Sequence, residues 1–262
     1  MTHIRVGIGG WTFEPWRNSF YPEKWPAKRE LEYAASKLTA IEINGTYYSS
    51  FKPASWANWR EAVPDDFVFA VKASRFCTNR KVLAEAGESV ARFVGQGLVE
   101  LGPKLGPILW QFMATKTFDA EDFAAFLKLL PASHEGVALR HAVQVRHESF
   151  AVPAFVAMCR AAGVAIVYGE STDYPALADV SGDFVYARLE SSVEEEPAGY
   201  APAALDHWAD VAKQWAAGGQ PEGLPYAGDG AAPKEPRDVF VFFISGAKVR
   251  NPHAAMALIT RV

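Results

Sequence analysis

The sequence predicts an α/β fold, a TIM-like (β/α)8 barrel of parallel strands. Three observations predict it. Strand-like apolar runs alternate with helical patterns from end to end. The length, 262 residues, suits one such barrel. The apolar runs also end, one after another, in polar side chains: AIEIN (40–44), FVFAVKAS (67–74), GPILWQF (106–112), AVQVRH (142–147), VAIVYGE (164–170) and DFVYARLE (183–190). In a parallel barrel the C-terminal strand ends converge on one rim, where the sites of this architecture lie.

The first strand is IRVGIGG (4–10), followed by a helix near 29–37 rich in Ala, Leu and charges. The second strand (40–44) leads to a helix near 54–62, which opens after Pro53 with Ser55 available as a cap. A third strand (67–73) precedes a longer helix near 85–101, and a fourth (107–112) precedes a helix at 120–130 capped by Asp119. The fifth strand (142–147) is followed by a helix from Pro153, and the sixth is 164–169. The connection to the seventh strand (184–189) is short enough that one helical turn near 175–179 is the most it allows, leaving the helix between strands six and seven incomplete. A helix over 202–217, a strand at 238–244 and a last helix at 252–260 complete the chain. Residues 1–262 read as a single barrel domain. The Gly- and Pro-rich segment 218–237 reads as a loop insertion on the N-terminal face, away from the chemistry. An open doubly wound sheet is the runner-up, but Trp11 and Phe13 fill the GIGGWTF turn (7–13) where a pyrophosphate would have to approach.

Half of the residues are hydrophobic, enough for a sizeable core. A net charge of −4 argues against a general nucleic-acid or membrane-surface binder. Cys77 and Cys159 stand far apart, outside any CxxC or Cys/His cluster, and no apolar stretch is long enough to span a bilayer. The chain reads as a cytoplasmic protein with free thiols.

Side chains alternate faces along a strand. Glu42 and Asn44 therefore share a face with Ala40, Lys72 with Ala70, Gln144 with Arg146, Tyr168 with Glu170, and Arg188 with Tyr186 and Glu190. Gln111 ends the fourth strand. Charged groups resist burial without partners, so a mouth holding Lys72, Arg146 and Arg188 against Glu42, Glu170 and Glu190 either plugs itself with ion pairs or waits for a ligand. A mixed pocket of this kind suits an anionic or polyhydroxylated small molecule. Aromatic residues crowd WTFEPWRNSFYPEKW (11–25) and TYYSSF (46–51); most would pack as a lid, and Trp11 and Tyr47 are the candidates for ligand contact. His147 follows Arg146 but has the opposite parity. The absence of HxH, HExxH and GxSxG patterns leaves no written metal site, no named cofactor and no serine triad.

Taken together, GIGGWTFEPWRNSFYPEKW (7–25), LTAIEINGTYYSSFKPASWANWR (38–60), FVFAVKAS, KLGPILWQF (104–112), AVQVRHESF (142–150), DFVYARL (183–189) and DVFVFFISGAKVRNPHAAMAL (238–258) resemble the DUF72 family, also called YecE-like proteins. The resemblance covers nearly the whole chain. It implies a TIM-barrel-like fold and no established reaction. It maps the family's recurrent polar residues onto Glu42, Asn44, Lys72, Gln111, Arg146, His147 and Arg188. The chain departs from the family pattern where Gln144 replaces a Glu, where Glu190 replaces a His, and where Ile244 and Ser245 replace an Asn pair. A carboxylate is thus lost at 144 and gained at 190, and the two changes are expected to compensate.

Three functions compete. In the first, a hydrolase- or isomerase-type enzyme acts on a phosphorylated or polyhydroxylated small molecule. Lys72, Arg146 and Arg188 hold the anion, Glu42 is the general acid or base, and Glu190 is its partner. Asn44, Tyr47, Gln111, Gln144, His147 and Trp11 complete the binding set. In the second, the same pocket binds a metabolite or nucleic acid without turnover, the nucleic acid disfavoured by the acidic pI of about 5.9. In the third, the rim is only a plug.

Overall fold

The computed structural model describes residues 2–262. Eight parallel strands close into a barrel: β1 (Ile4–Gly9), β2 (Ala40–Ile43), β3 (Val68–Lys72), β4 (Leu105–Gln111), β5 (His141–Gln144), β6 (Ala165–Glu170), β7 (Phe184–Leu189) and β8 (Asp238–Phe243). Each strand pairs with its neighbours in sequence, and β8 closes on β1 through the register Ile4↔Val239 to Ile8↔Phe243. Helices α1 (Glu30–Ala35), α2 (Pro53–Glu61), α3 (Arg75–Thr78), α4 (Gly87–Val94), α5 (Ala120–Leu129), α6 (Pro153–Ala162) and α7 (Pro202–Ala216) lie in the connections, and α8 (Asn251–Ile259) follows β8. Among the described residues no helix is long and apolar enough to cross a membrane.

Alternation along the strands produces two cores. Outward side chains such as Ile41, Phe69, Trp110, Val143 and Val241 pack under the helices. Inward ones form a separate cluster. That inner cluster is lopsided. Ala40, Ala70, Ala142 and Ala165 line one side, while Phe184, Tyr186, Phe240 and Phe242 fill from β7 and β8. Small residues on one arc admit the large rings of the other, so the barrel is filled rather than hollow. Gly7 belongs to this arrangement: a Cβ there would lie 1.9 Å from the Ala40 carbonyl oxygen. At the N-terminal end, Arg140 donates to Asp238 (3.0 Å) and stacks on Phe184, closing the bottom.

Several local expectations change. The helix expected over 85–101 is broken. α4 ends at Val94, Gly97 takes a positive φ of 105°, and a 3-10 stretch from Leu98 to Lys104 is itself kinked at Gly102 before Pro103. Ser55 does not cap α2; Lys52 occupies the cap position with extended backbone, and Pro53 starts the helix with its φ already set. Asp119 does cap α5, accepting from the Asp122 amide at 2.9 Å. No helical turn forms near 175–179. Backbone from the 218–237 segment takes the place of intrahelical bonds there: the Ala178 amide donates to the Pro225 carbonyl, and Asp179 accepts from the Ala227 and Gly228 amides. A short hairpin, Ser133–His134 against Val137–Ala138, turns on Glu135 and Gly136, both at positive φ.

Replacing Gly7 by Ala is expected to destabilise the barrel by about 3 kcal/mol or more, because strand backbone rather than a flexible side chain would have to give way. Chemical denaturation would measure it, and a loss under 1 kcal/mol would mean that β1 and β2 can separate without cost.

Candidate functional site at the barrel mouth

Above the inner apolar cluster lies one polar layer, built from residues near the C-terminal ends of β2, β4, β5 and β7. Glu42 on β2 reaches across the barrel to β7. Its Oε1 accepts from Arg188 Nη2 at 3.2 Å, and its Oε2 accepts from Arg188 Nε at 3.2 Å and from the Tyr186 hydroxyl at 2.6 Å. Arg188 Nη1 donates onward to Gln144 Oε1 (2.7 Å) and Glu190 Oε1 (3.2 Å), and Gln111 Nε2 donates to the same Gln144 oxygen at 2.6 Å. Glu42 is fully buried and Arg188 is 2% exposed. Gly169 leaves room for this layer, since a Cβ there would come 3.1 Å from Gln144 Nε2.

Such burial sets the charges. Burial pushes the Glu42 carboxyl up, but Arg188, Lys72 and the Tyr186 hydroxyl together hold it below the usual carboxylate range. Burial opposes the Arg188 charge, and Glu42 with Glu190 more than restores it. Burial and Glu42 keep the Tyr186 phenol protonated well beyond its ordinary range. Glu42 is therefore a fixed anion and Tyr186 a fixed donor.

A cavity of about 460 Å³ opens above this layer. Four cations line it, Lys72, Arg146, Arg188 and Lys248, and no carboxylate does. Asn44, Tyr47 and Gln111 share the lining. Lys72 Nζ sits 4.4 Å from the Tyr47 ring centre, and the Arg146 guanidinium 4.5 Å from that of Tyr174. Tyr47 is placed by its own loop, because the Thr46 hydroxyl donates to the Lys72 carbonyl at 2.6 Å. Arg146 makes no ion pair among the described residues, and its buried Nε has no hydrogen-bond partner. Burial and the Arg188 charge lower the Lys72 ammonium to about 8, against the opposing pull of Glu42. Burial likewise lowers Arg146 and Lys248.

Not every residue expected at the mouth is there. Glu42, Gln144 and Glu190 do not line the cavity; each bonds to Arg188, which does. Tyr168 and Glu170 point the other way. Tyr168 packs on Trp208 and Trp215 of α7, and Glu170 accepts from the Tyr200 hydroxyl at 2.7 Å. β6 is apolar on both faces, so its phase could not be read from composition; Val167 and Gly169 are its inward positions. His147 leaves the cavity and caps a 3-10 turn, its Nδ1 accepting from the Ser149 amide at 3.2 Å. Trp11 packs edge-on against Trp59 and flanks a smaller neighbouring hollow with Phe13 and Lys248.

Lys248, Ser245 and Asn251 line the cavity although the strand-end pattern did not point to them. They follow β8, where Ser245 takes a positive φ of 60° and Gly246 fits against Ser192. Asn251 fixes that turn by donating to the Ser245 carbonyl (3.1 Å) and accepting from the Ser192 hydroxyl (2.8 Å). For Lys248 and Asn251 the sequence signal was position, a loop following the last strand on the same rim, while Ser245 stands out in the sequence through the family resemblance. Among the described residues, no group of three or more His, Cys, Asp or Glu side chains gathers as a metal site would require.

A family model, the protein of unknown function DUF72, matches residues 5–262. The chain belongs to the DUF72 family. Its fold is similar to that of the DUF72 family protein TM1631 from Thermotoga maritima, with 20% identity, a TM-score of 0.75 and 98% of each chain covered. The DUF72 family protein EF0366 from Enterococcus faecalis is similar at 18% identity and a TM-score of 0.69, over 99% of this chain and 97% of that one. SacUVDE aligns over 99% of this chain and all of its own, with 9% identity and a TM-score of 0.57. At these identities the likeness concerns the barrel. No curated protein matches. Within this DUF72 chain, Gln144 and Glu190 meet on the same Nη1 of Arg188.

Two expectations follow. Glu42→Gln should cost on the order of 3 kcal/mol by leaving the buried Arg188 with Glu190 as its one remaining carboxylate among the described residues. Adding Arg188→Met to it should recover part of that loss, so additive losses in denaturant unfolding would show the pair to be uncoupled. The Glu42 contribution should be complete above the ordinary carboxylate range and fade as pH falls through its lowered folded value. Lys72 has the opposite consequence. Its lowered value makes the unfolded chain bind more protons between about pH 8 and 10.5, so stability contributed at this site rises with pH across that window. Lys72→Met should therefore raise the unfolding midpoint at pH 7, with the gain vanishing by about pH 10.5; a variant less stable than wild type at pH 7 would contradict this.

Proposed function

We propose that this DUF72 protein is an enzyme of the isomerase type acting on an anionic, polyhydroxylated small molecule such as a phosphorylated sugar. The observation that carries this reading is the cavity wall, with four cations and, among the described residues, no carboxylate, while Glu42 and Glu190 bond to Arg188. Partly buried cations without counterions, as Lys72 and Arg146 are among the described residues, cost stability, and an anionic ligand would offset that cost. Arg146 is the main anion holder, because among the described residues its guanidinium makes no ion pair and rests only on the Tyr174 ring. Lys248 and Lys72 flank the same space, and Asn44, Gln111 and Tyr47 supply hydrogen-bonding groups suited to hydroxyls.

Proton transfer falls to Glu190 rather than Glu42. Glu42 has both oxygens engaged and stays ionised, which suits it to holding Arg188 and not to donating a proton. Glu190 engages Arg188 through Oε1 alone. Hydrolysis by a pair of freely titrating carboxylates, the hydrolase form of the reading, fits this arrangement less well.

The test is a thermal-shift series with inorganic phosphate, phosphorylated sugars and the same sugars unphosphorylated. Near 100 Kd of ligand, stabilisation of about 2.7 kcal/mol is expected, roughly 5 °C for a chain of this size. The phosphorylated compounds should give it and the neutral ones should not. Arg146→Ala should abolish the shift while leaving the unliganded protein folded. Equal shifts with Arg146→Ala, or shifts with neutral sugars only, would overturn the reading.

A further inference from the structure

The chain has an internal standard for what a buried lysine does when its role is structural. Lys104 is 6% exposed, and its Nζ donates to the Arg60 carbonyl (2.8 Å) and the Val63 carbonyl (2.7 Å) beside Asp65 at 3.6 Å. Lys116 donates to Asp122 (2.6 Å) and to the Lys81 carbonyl (2.8 Å). Both hold chain segments together. Lys72 does neither. Among the described residues its Nζ makes no hydrogen bond and no ion pair, and its close neighbour is the face of Tyr47. It stands at the C-terminal end of β3 on the wall of the cavity, with Arg146, Arg188 and Lys248 on the same wall. A rigid strand end holds an amine toward open space, and guanidinium groups discourage its protonation.

We infer that Lys72 is a nucleophile that condenses with the carbonyl carbon of an anionic aldehyde or ketone to form a Schiff base in the mouth. This deepens the proposed function and rests on its anionic ligand. In the step, the Nζ lone pair forms the C–N bond as the carbonyl π electrons move to oxygen. A proton passes from nitrogen to that oxygen to give the carbinolamine. The C–O bond then breaks, and the oxygen leaves as water after taking up one further proton, leaving the iminium. No oxidant or reductant is consumed. The iminium withdraws electrons from the neighbouring carbon, so a proton there becomes removable, which is the chemistry an isomerase of hydroxy-carbonyl compounds needs. The remaining cations hold the anionic group. The Lys72 ammonium, lowered to about 8, supplies a usable fraction of free amine near neutrality.

The experiment incubates the full chain with pyridoxal 5′-phosphate, dihydroxyacetone phosphate or unphosphorylated dihydroxyacetone. Sodium cyanoborohydride, which reduces imines, then traps any adduct for intact mass measurement and peptide mapping. The expected result is one adduct per chain, on the peptide carrying Lys72, with the phosphorylated compounds only. Inorganic phosphate should slow the labelling. The rate should rise about tenfold per pH unit below about 8 and level off above it. Lys72→Arg should remove the adduct, and Lys128→Met, at an exposed position on α5 away from the cavity, should retain it. Phosphate protection and the mapped site are read on the unaltered protein, so they decide the matter even where a variant fails to fold. Labels scattered over surface lysines with Lys72 unmodified, while phosphorylated sugars still raise the melting temperature, would overturn this inference and leave the anion site standing. An absence of both labelling and thermal shift would overturn the two together.

Discussion

One ion pair spans the inside of this barrel. Glu42 and Arg188 come from strands separated by β1 and β8 in the closed sheet, and they meet where the apolar filling ends. A pair so dry gains little net stability, because removing both charges from water costs about as much as their attraction returns. Its effect is organisational. Arg188 has a fork of fixed donors, and Glu42 occupies two of its nitrogens. The remaining nitrogen, Nη1, is held toward Gln144 and Glu190. The floor of the mouth is therefore rigid, and the groups above it are free to serve a ligand. The lopsided inner core makes this possible: Tyr186 is long enough to bring its hydroxyl to Glu42 only because alanines face it.

The fold and much of this layer were legible because they rest on simple periodicity. Ala40, Glu42 and Asn44 share a face, as do Tyr186, Arg188 and Glu190, and a period of two fixes both statements once a strand is recognised. What the sequence could not display was depth. Glu42 and Lys72 look alike as charged strand ends, yet one is sealed under the floor and the other faces the cavity. Phase also failed where a strand is apolar on both faces, and Tyr168 with Glu170 turned out to face α7 and the 191–201 loop. His147 was drawn away by a local bond, since capping a nearby amide is easier for it than reaching the mouth. Lys248 and Ser245 depended on a turn with positive φ after β8, which no propensity of Ser announces.

Burial of charge divides this molecule into two regimes. Below the floor, charges are held in ion pairs, Glu42 with Arg188 at the top and Arg140 with Asp238 at the bottom. Above it, cations rest on aromatic faces instead, Lys72 on Tyr47, Arg146 on Tyr174 and Lys248 on Phe13. A ring face stabilises a cation by a modest amount and does not compete strongly with an incoming anion. Aromatic support is thus suited to a cation that must be held in place and still remain available. The loop aromatics, which in the sequence look like a lid, do part of that work as pedestals.

The segment between Gly218 and Arg237 has the composition of a dispensable excursion, yet it is wired into the wall. Asp179 is 3% exposed, and its carboxylate is satisfied by two amides of that segment, with Arg160 no nearer than 3.9 Å. Arg160 in turn spends its guanidinium on the carbonyls of Asp229 and Gly230. Leu224 and Tyr226 pack against the outer core near the connection that lacks a helix. In this chain a stretch of loop has taken over the duty of a missing structural part, and an engineer who shortened it to tidy the surface would be removing a piece of the wall.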